Sequence, residues 1–218
     1  MCGIFGIIAK GEINKSHLKF LANHARQRGR DSSGLFYFNC DGYVVRRADF
    51  DINKLLKDVN NKFTKFVMGH SRLITNGLFD NQPVVRDGIC LIHNGIIVNE
   101  QEVWDAVNLT PEFQIDSETM IGVAISQIKG GGKIADLPAK ILSVCKGTIS
   151  CALTIPKDGK LLLFSNNGSL YAGKISGDLY FSSERYPLEE IGCEGVVQVM
   201  DEGLILDIPV SKDIKIND

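Results

Sequence analysis

The chain has 218 residues, of which 44% are hydrophobic and 23% charged, proportions typical of a globular protein in water. Its 24 Lys and Arg residues nearly balance 26 Asp and Glu residues, and a formal net charge of −2 argues against nucleic acid or an anionic membrane as the main partner. All apolar runs fall short of the roughly 20 residues that a membrane span needs. No secretory leader is recognisable, so we expect a cytoplasmic protein with reduced thiols.

The first half of the chain predicts strands and hairpins around one helix. A buried strand is predicted over CGIFGIIA, residues 2–9. In NKSHLKFLANHARQRG the apolar residues recur at helical spacing, and this helix is predicted to end at Gly29. Two hairpins follow, with turns predicted at Asp41-Gly42 and at Asp87-Gly88.

The middle of the chain is predicted to be helical. One helix covers residues 99–107 and begins with Asn99 as its capping residue. The next begins with Asp116 or Ser117 as its N-cap and stops at three glycines, 130–132. A third helix, LPAKILSVCKG, leads to Gly147, after which only strands are predicted. Strands, then helices, then strands predict a single α+β domain over 1–218 with largely antiparallel sheets.

Six cysteines are present, and neither their spacing nor the glycine run predicts a metal or a cofactor. No pair has zinc-ligand spacing, the glycines lack the lysine of a phosphate-binding loop, and Cys90 and Cys151 lie within apolar strands. Only Cys2 has an unusual position. It is either the first buried residue of a strand or, if Met1 is removed, a nucleophile that carries its own amine as a base.

Three polar stretches each allow a structural and a chemical interpretation. Arg72 is either a solvated residue at a strand end or a bidentate ligand for a carboxylate. Asn94 and Gly95 form either a type I′ turn, which such a pair favours, or two donors for an oxyanion. Asp116 is either a helix N-cap or a partner for an ammonium group, and Arg72 and Asp116 together match both charges of a free amino acid.

Two further features also leave alternatives open. Arg28 is placed with its neighbours on a loop before a strand, where a generic turn explains the stretch about as well as a site does. His70 and His93 do not have metal-ligand spacing with another histidine, but either could form a Cys–His dyad.

Taken together, five stretches in this order resemble the glutaminase domain of class II glutamine amidotransferases, a branch of the N-terminal nucleophile hydrolases. They are MCGIFGI at 1–7, RGRDSSG at 28–34, HSRLITNG at 70–77, HNGIIVNE at 93–100 and DSET at 116–119. The later stretch FSSERYPLEEIG is also similar, so the resemblance covers nearly the whole chain. It implies a four-layer α/β/β/α sandwich of two antiparallel sheets.

The resemblance also implies the reaction, in which glutamine is hydrolysed to glutamate and ammonia through a thioester. Cys2 is then the nucleophile, Arg72 binds the α-carboxylate of L-glutamine and Asp116 binds its α-ammonium. The implied oxyanion hole is formed by Asn94 and Gly95. The residues implied to line or support the pocket are Thr75, Asn76 and Arg28.

The sequence departs from one branch of this family around the motif arginines. Leu73 stands where glucosamine-6-phosphate synthases typically have tryptophan, and Gln27 and Arg30 stand where they have tyrosine. No synthase domain fits in 218 residues, so we expect the ammonia to pass to a separate synthase partner or to a missing domain. Two alternatives are a hydrolase of another γ-glutamyl or amide compound and a catalytically silent regulatory subunit.

Overall fold

The computed structural model describes residues 2–40, 42–48, 52–59, 64–73 and 81–217. Within these ranges there are thirteen strands, which are β1 (Gly3–Ile8), β2 (Ser32–Asn39), β3 (Gly42–Ala48), β4 (Phe66–Arg72), β5 (Val84–Arg86), β6 (Ile89–Ile97), β7 (Gly147–Ile155), β8 (Lys160–Ser165), β9 (Tyr171–Ile175), β10 (Asp178–Ser182), β11 (Glu194–Gln198), β12 (Asp201–Asp207) and β13 (Ile214–Asn217). The α-helices of the same ranges are α1 (Lys15–Arg28), α2 (Ile52–Leu56), α3 (Glu100–Val107), α4 (Glu118–Lys129), α5 (Leu137–Val144) and α6 (Tyr186–Glu190).

The strands form two sheets. The larger has the order β11-β9-β10-β1-β4-β2-β3-β13 and the smaller has the order β12-β8-β7-β6-β5. Neighbouring strands are antiparallel except at one edge, where β13 runs parallel to β3. Strand β1 therefore lies near the middle of the large sheet, between β10 and β4.

Three apolar layers separate the two sheets from each other and from the helices. The first joins α1, α2 and α6 to the large sheet, the second lies between the sheets, and the third joins the small sheet to α3, α4 and α5. The architecture is thus the four-layer α/β/β/α sandwich implied by the resemblance, and the α+β prediction is confirmed. No helix in the described ranges has the length and apolar character needed to cross a membrane.

Most of the elements predicted from local patterns are present. Asn14 caps α1, its Oδ1 accepting from the backbone N–H groups of Ser16 and His17, and the helix ends just before Gly29 as predicted. The turn between β5 and β6 is also confirmed, since Asp87 and Gly88 both have positive φ, as a type I′ turn requires. The first hairpin pairs β2 with β3, but Asp41 in its turn lies outside the described residues.

The short helices α2 and α6 were not predicted, because each has only five residues and shows no clear periodicity. Asn99, the predicted cap of α3, does not act as a capping side chain. Asn99 occupies the N-cap position without making a capping hydrogen bond. Its side chain instead bonds to the backbone of Val144 and Lys146.

Candidate active site

Cys2 lies directly before β1, at the end of the layer between the sheets. In the β1–β4 register Gly3 is opposite Ser71, which places Cys2 beside Arg72, the last residue of β4. Alternate residues of a strand share a face. Cys2 is therefore on the same side of β1 as Ile4, which packs between the two sheets. The position of the thiol is set by the central strand of the large sheet.

The backbone of Cys2 is held by an arginine from the neighbouring helix. Arg28 donates from Nε to the Cys2 carbonyl oxygen at 3.1 Å, and its Nη1 lies 2.8 Å from Oε1 of Glu184. The other carboxylate oxygen of Glu184 lies 3.2 Å from Nδ1 of His24. The prediction that Arg28 lies on a loop is wrong, because this residue lies in the last turn of α1. Glu184 was not predicted as a site residue, although the similar stretch FSSERYPLEEIG contains it.

The Cys2 thiol is in an environment that keeps it protonated. Burial raises the pKa of this thiol above its ordinary value, the positive charge of Arg72 opposes the rise and the negative charge of Asp116 adds to it. The Sγ atom donates a long hydrogen bond of 3.9 Å to the carbonyl oxygen of Leu73. Because a thiolate is the reactive form of cysteine, this group needs a base to become a nucleophile.

Arg72 is buried rather than solvated. Only 3% of it is exposed, and its Nη1 donates to Oδ1 of Asn81 at 3.1 Å. The same Asn81 oxygen accepts from the hydroxyl of Ser32 at 2.8 Å. By the pleat of β4, Arg72 shares the face of Met68, which packs between the sheets, and so it lies on the same side as the thiol. The solvated interpretation is therefore wrong.

Asn94 and Gly95 do not form a turn, although the dipeptide favours one. They lie inside β6, opposite Ser150 and Ile149 of β7. Asn94 shares the strand face of Ile92, which packs between the sheets, and is 3% exposed. Among the described residues, no hydrogen-bond partner is found for its side-chain amide. The amide is thus a donor directed to the side of the small sheet that faces Cys2.

Gly95 is required by its conformation and by its surroundings. Its φ is +154°, and a Cβ atom at this position would lie 1.8 Å from the carbonyl oxygen of Thr148 and 2.6 Å from Nε2 of His93. No side chain fits there without moving β6 away from β7.

Asp116 is a buried carboxylate that reaches the end of β6. Its Oδ2 accepts from the backbone N–H of Ile97 at 2.8 Å. Helix α4 begins at Glu118, and Ser117 at its N-cap position makes no capping bond. Of the two predicted N-caps, Ser117 thus occupies the position and Asp116 does not. Asp116 instead lies at the end of the strand that carries Asn94.

The rings of the two candidate histidines have hydrogen-bond partners other than the thiol. His70 and the His93 carbonyl oxygen are 3.2 Å apart, and the His93 ring contacts Ser117 and Thr148. Burial lowers the pKa of His70 to about 3, and it lowers the pKa of His93 as well. Among the described residues the Cys2 thiol makes no hydrogen bond to either ring, so a Cys–His dyad gains no support. The predicted pocket residues Thr75 and Asn76 lie outside the described residues.

Cys2, Arg72 and Asn94 thus face one end of the space between the sheets, and Asp116 is bound to the end of β6. Together they provide a thiol, a fixed cation, an amide donor and a carboxylate. The sequence profile of the glutamine amidotransferase domain family matches residues 70–190, a segment that includes the last three of these side chains. The chain belongs to this family.

Relatives with similar sequences are longer proteins. The glutamine–fructose-6-phosphate aminotransferase (isomerizing) of Mesorhizobium japonicum is 26% identical over 198 residues, covering 86% of this chain and 32% of the relative. The protein of that name from Pectobacterium atrosepticum is 23% identical over 230 residues, covering 100% and 37%. This amidotransferase domain thus spans about a third of the length of these relatives.

Solved structures share the fold of this amidotransferase domain. The glutamine phosphoribosylpyrophosphate amidotransferase from B. subtilis, complexed with ADP and GMP, superposes with a TM-score of 0.71 at 20% identity, covering 98% of this chain and 50% of that one. A glutamine aminotransferase class-II domain protein from Silicibacter pomeroyi superposes with a TM-score of 0.55 at 12% identity, covering 94% and 99%. At these identities the likeness concerns the fold alone.

Proposed function

We propose that this domain is a glutaminase, which hydrolyses the side-chain amide of L-glutamine to glutamate and ammonia. The observation that carries the proposal is that Cys2, Arg72 and Asn94 face one end of the inter-sheet layer, while Asp116 is bound to the end of β6. In a free amino acid with a side-chain amide, the carboxylate matches Arg72 and the ammonium matches Asp116. The amide presents its carbon to Cys2 and its oxygen to Asn94. Because the family profile matches this segment, the arrangement is interpreted as an amide-hydrolysing site.

The proposed nucleophile is Cys2, and its own α-amine is the proposed base. Removal of Met1 frees that amine, whose reference pKa of about 7.7–8.0 suits a general base near neutral pH. The amine takes the thiol proton, and the thiolate attacks the amide carbon of glutamine to form a tetrahedral intermediate. The C–N bond breaks as the amine returns the proton to the leaving nitrogen, and ammonia departs. Water then hydrolyses the γ-glutamyl thioester and restores the thiol.

The oxyanion of each tetrahedral intermediate is proposed to bind at Asn94 and Gly95. The Asn94 amide has no partner among the described residues, so it can donate without first breaking a bond. Glycine at position 95 leaves the backbone open to a close approach of substrate. Loss of one such donor typically raises the barrier by about 2.7–4 kcal/mol.

The two charges of glutamine select it as a free amino acid. Arg72 is proposed to bind the α-carboxylate and Asp116 the α-ammonium, and both side chains are already buried and fixed by hydrogen bonds. Arg28 is proposed to hold the nucleophile through its backbone. Thr75 and Asn76 remain proposed pocket residues on the ground of the sequence motif.

The ammonia is proposed to pass to an acceptor synthase, as a partner subunit or as a further domain. The chain spans about a third of the length of its relatives, whose names describe amino transfer from glutamine to fructose-6-phosphate. Residues 1–218 are proposed to form one domain, because a single apolar layer joins the two sheets. Six free cysteines support the proposed cytoplasmic location.

The test compares Cys2→Ala with Cys40→Ala, which changes an exposed free cysteine. Glutamate release from glutamine is measured together with the intact mass of each purified protein. We expect Cys2→Ala to release no glutamate, Cys40→Ala to match the wild type, and the active protein to lack Met1. Undiminished release by Cys2→Ala, or full activity in a protein that keeps Met1, would contradict the proposal.

A further inference from the structure

The buried side chain of Gln82 binds both backbone groups of the residue before Asn94. Its Oε1 accepts from the N–H of His93 at 2.5 Å, and its Nε2 donates to the carbonyl oxygen of His93 at 3.1 Å. Gln82 is 5% exposed and precedes β5, so these bonds are not part of the β-sheet ladder. They attach the segment before β5 to the middle of β6.

The second hydrogen of the Gln82 amide extends this contact to the turn before α4. Nε2 also donates to Oγ of Ser117 at 3.2 Å, and that Oγ lies 3.1 Å from Nδ1 of His93. A carbonyl oxygen can only accept, so Nε2 of His93, 3.1 Å from the oxygen of Thr148, carries the ring hydrogen. In the neutral ring Nδ1 then accepts the Ser117 hydroxyl. The Ser117 hydroxyl also lies 3.4 Å from Oδ1 of Asp116, so its hydrogen has two acceptors, the His93 ring and the Asp116 carboxylate.

The network connects two of the proposed substrate-binding groups. His93 precedes Asn94 in β6, and Ser117 follows Asp116. We propose that Gln82 is a positioning residue that holds the Asn94 amide at a fixed place relative to the Asp116 carboxylate. This inference rests on the proposed glutaminase function. Gln82 itself is not required to touch glutamine.

The expected effect is on catalysis more than on substrate binding. An oxyanion donor acts only when it lies within about 2.7–3.1 Å of the developing charge, and a displacement of about 1 Å can cost a hundredfold in rate. Binding of the ground state depends in addition on Arg72, and the hydrogen bonds of the Gln82 side chain within the described residues go to His93 and Ser117 instead. Loss of the Gln82 bonds therefore lowers kcat, while KM for glutamine stays within about threefold of the wild-type value.

Two variants with a matched control test the inference. Gln82→Glu keeps the shape but replaces the donor by an acceptor, and Gln82→Met removes all three bonds without adding a charge. Asn99→Asp is the control, since Asn99 is 8% exposed and also binds two backbone groups, those of Lys146 at 2.7 Å and Val144 at 3.0 Å. Steady-state glutamine hydrolysis is measured per mole of folded protein, with the melting temperature of each variant.

We expect kcat to fall about tenfold or more in both Gln82 variants and to stay within about twofold in Asn99→Asp. The kcat of Gln82→Glu relative to the kcat of the wild type should rise as the pH falls, because a protonated carboxyl group can donate a hydrogen bond again. Gln82→Met should show no such rise.

Two results would overturn the inference and leave the proposed function intact. One is a kcat within about twofold of the wild type in both Gln82 variants, alongside an inactive Cys2→Ala protein. The other is that kcat relative to the wild type does not change with pH in Gln82→Glu and is equal in Gln82→Glu and Gln82→Met. A purely structural loss would produce that result. A wild-type protein that releases no glutamate contradicts the proposed function, and the inference with it.

Discussion

The Nε atom of Arg28 donates to the carbonyl oxygen of Cys2 at 3.1 Å, so the last turn of α1 holds the residue that precedes the central strand. The same guanidinium pairs with Glu184 at 2.8 Å. Arg28 has only 13% of its side chain exposed, whereas Glu184 has 38%. The carboxylate thus orients a mostly buried cation that in turn orients the proposed nucleophile.

Replacing Glu184 by Gln is expected to lower kcat for glutamine hydrolysis by about three- to tenfold with little change in KM. The substitution keeps the shape but removes the charge that orients Arg28, so the Cys2 backbone is held less firmly. The matched control is Glu189→Gln, which removes the exposed ion pair that Glu189 of α6 makes with Arg185. An equal loss of kcat in both variants would show that the Arg28–Glu184 pair has no specific role.

Replacing Asp116 by Asn is expected to weaken glutamine binding through the α-ammonium alone. Loss of one partner of a buried charge pair costs about 2 kcal/mol or more, which corresponds to a rise in KM of about thirtyfold. For 4-carbamoylbutanoate, which has no ammonium group, the rise should stay within about threefold. Asp105→Asn, on the exposed face of α3, is the control. A similar rise for both substrates would rule out the ammonium role.

Replacing Gly95 by Ala is expected to destabilise the fold as well as to abolish activity. The added Cβ would lie 1.8 Å from the carbonyl oxygen of Thr148, and φ is +154°, so β6 and β7 must separate locally. We expect a loss of about 2–4 kcal/mol in the free energy of unfolding, measured by urea denaturation. Gly11→Ala is the control, because its Cβ meets nothing within 4 Å. A Gly95→Ala protein as stable as Gly11→Ala would contradict the described backbone.

Replacing His70 by Gln is expected to make stability less dependent on pH. The pKa of His70 is lowered from 6.5 in an ordinary setting to about 3 by burial. Between these values the unfolded chain binds a proton that the folded chain does not, so stability falls as the pH decreases through this range. The slope is up to about 1.4 kcal/mol per pH unit for each such histidine.

The His70→Gln variant keeps a donor for the His93 carbonyl oxygen but cannot titrate. The difference is measured by urea unfolding of both proteins at about pH 7.5, 6 and 5. These values lie on either side of the ordinary histidine pKa of about 6.5. We expect the wild type to lose stability faster toward pH 5. The expectation is wrong if the two curves remain parallel.

Local sequence patterns determined the elements whose conformation depends on their own residues. The cap at Asn14, the end of α1 before Gly29 and the turn at Asp87-Gly88 involve bonds and backbone angles within a few residues, so a single sequence is enough to predict them. The order of the polar motifs also indicated the family. Cys2, Arg72, Asn94, Gly95 and Asp116 were named on that basis.

The tertiary structure decided what the polar residues do. The Asn94-Gly95 pair has the local preference of a turn, yet it lies inside β6 because the strand pairs along its length with β7 and packs against the other sheet. Arg72 is buried because β4 ends inside the inter-sheet layer. Gln82 is joined to His93 and Ser117 across separate segments. No sequence window contains these long-range contacts, since only the packing of the two sheets and their helices brings the groups together.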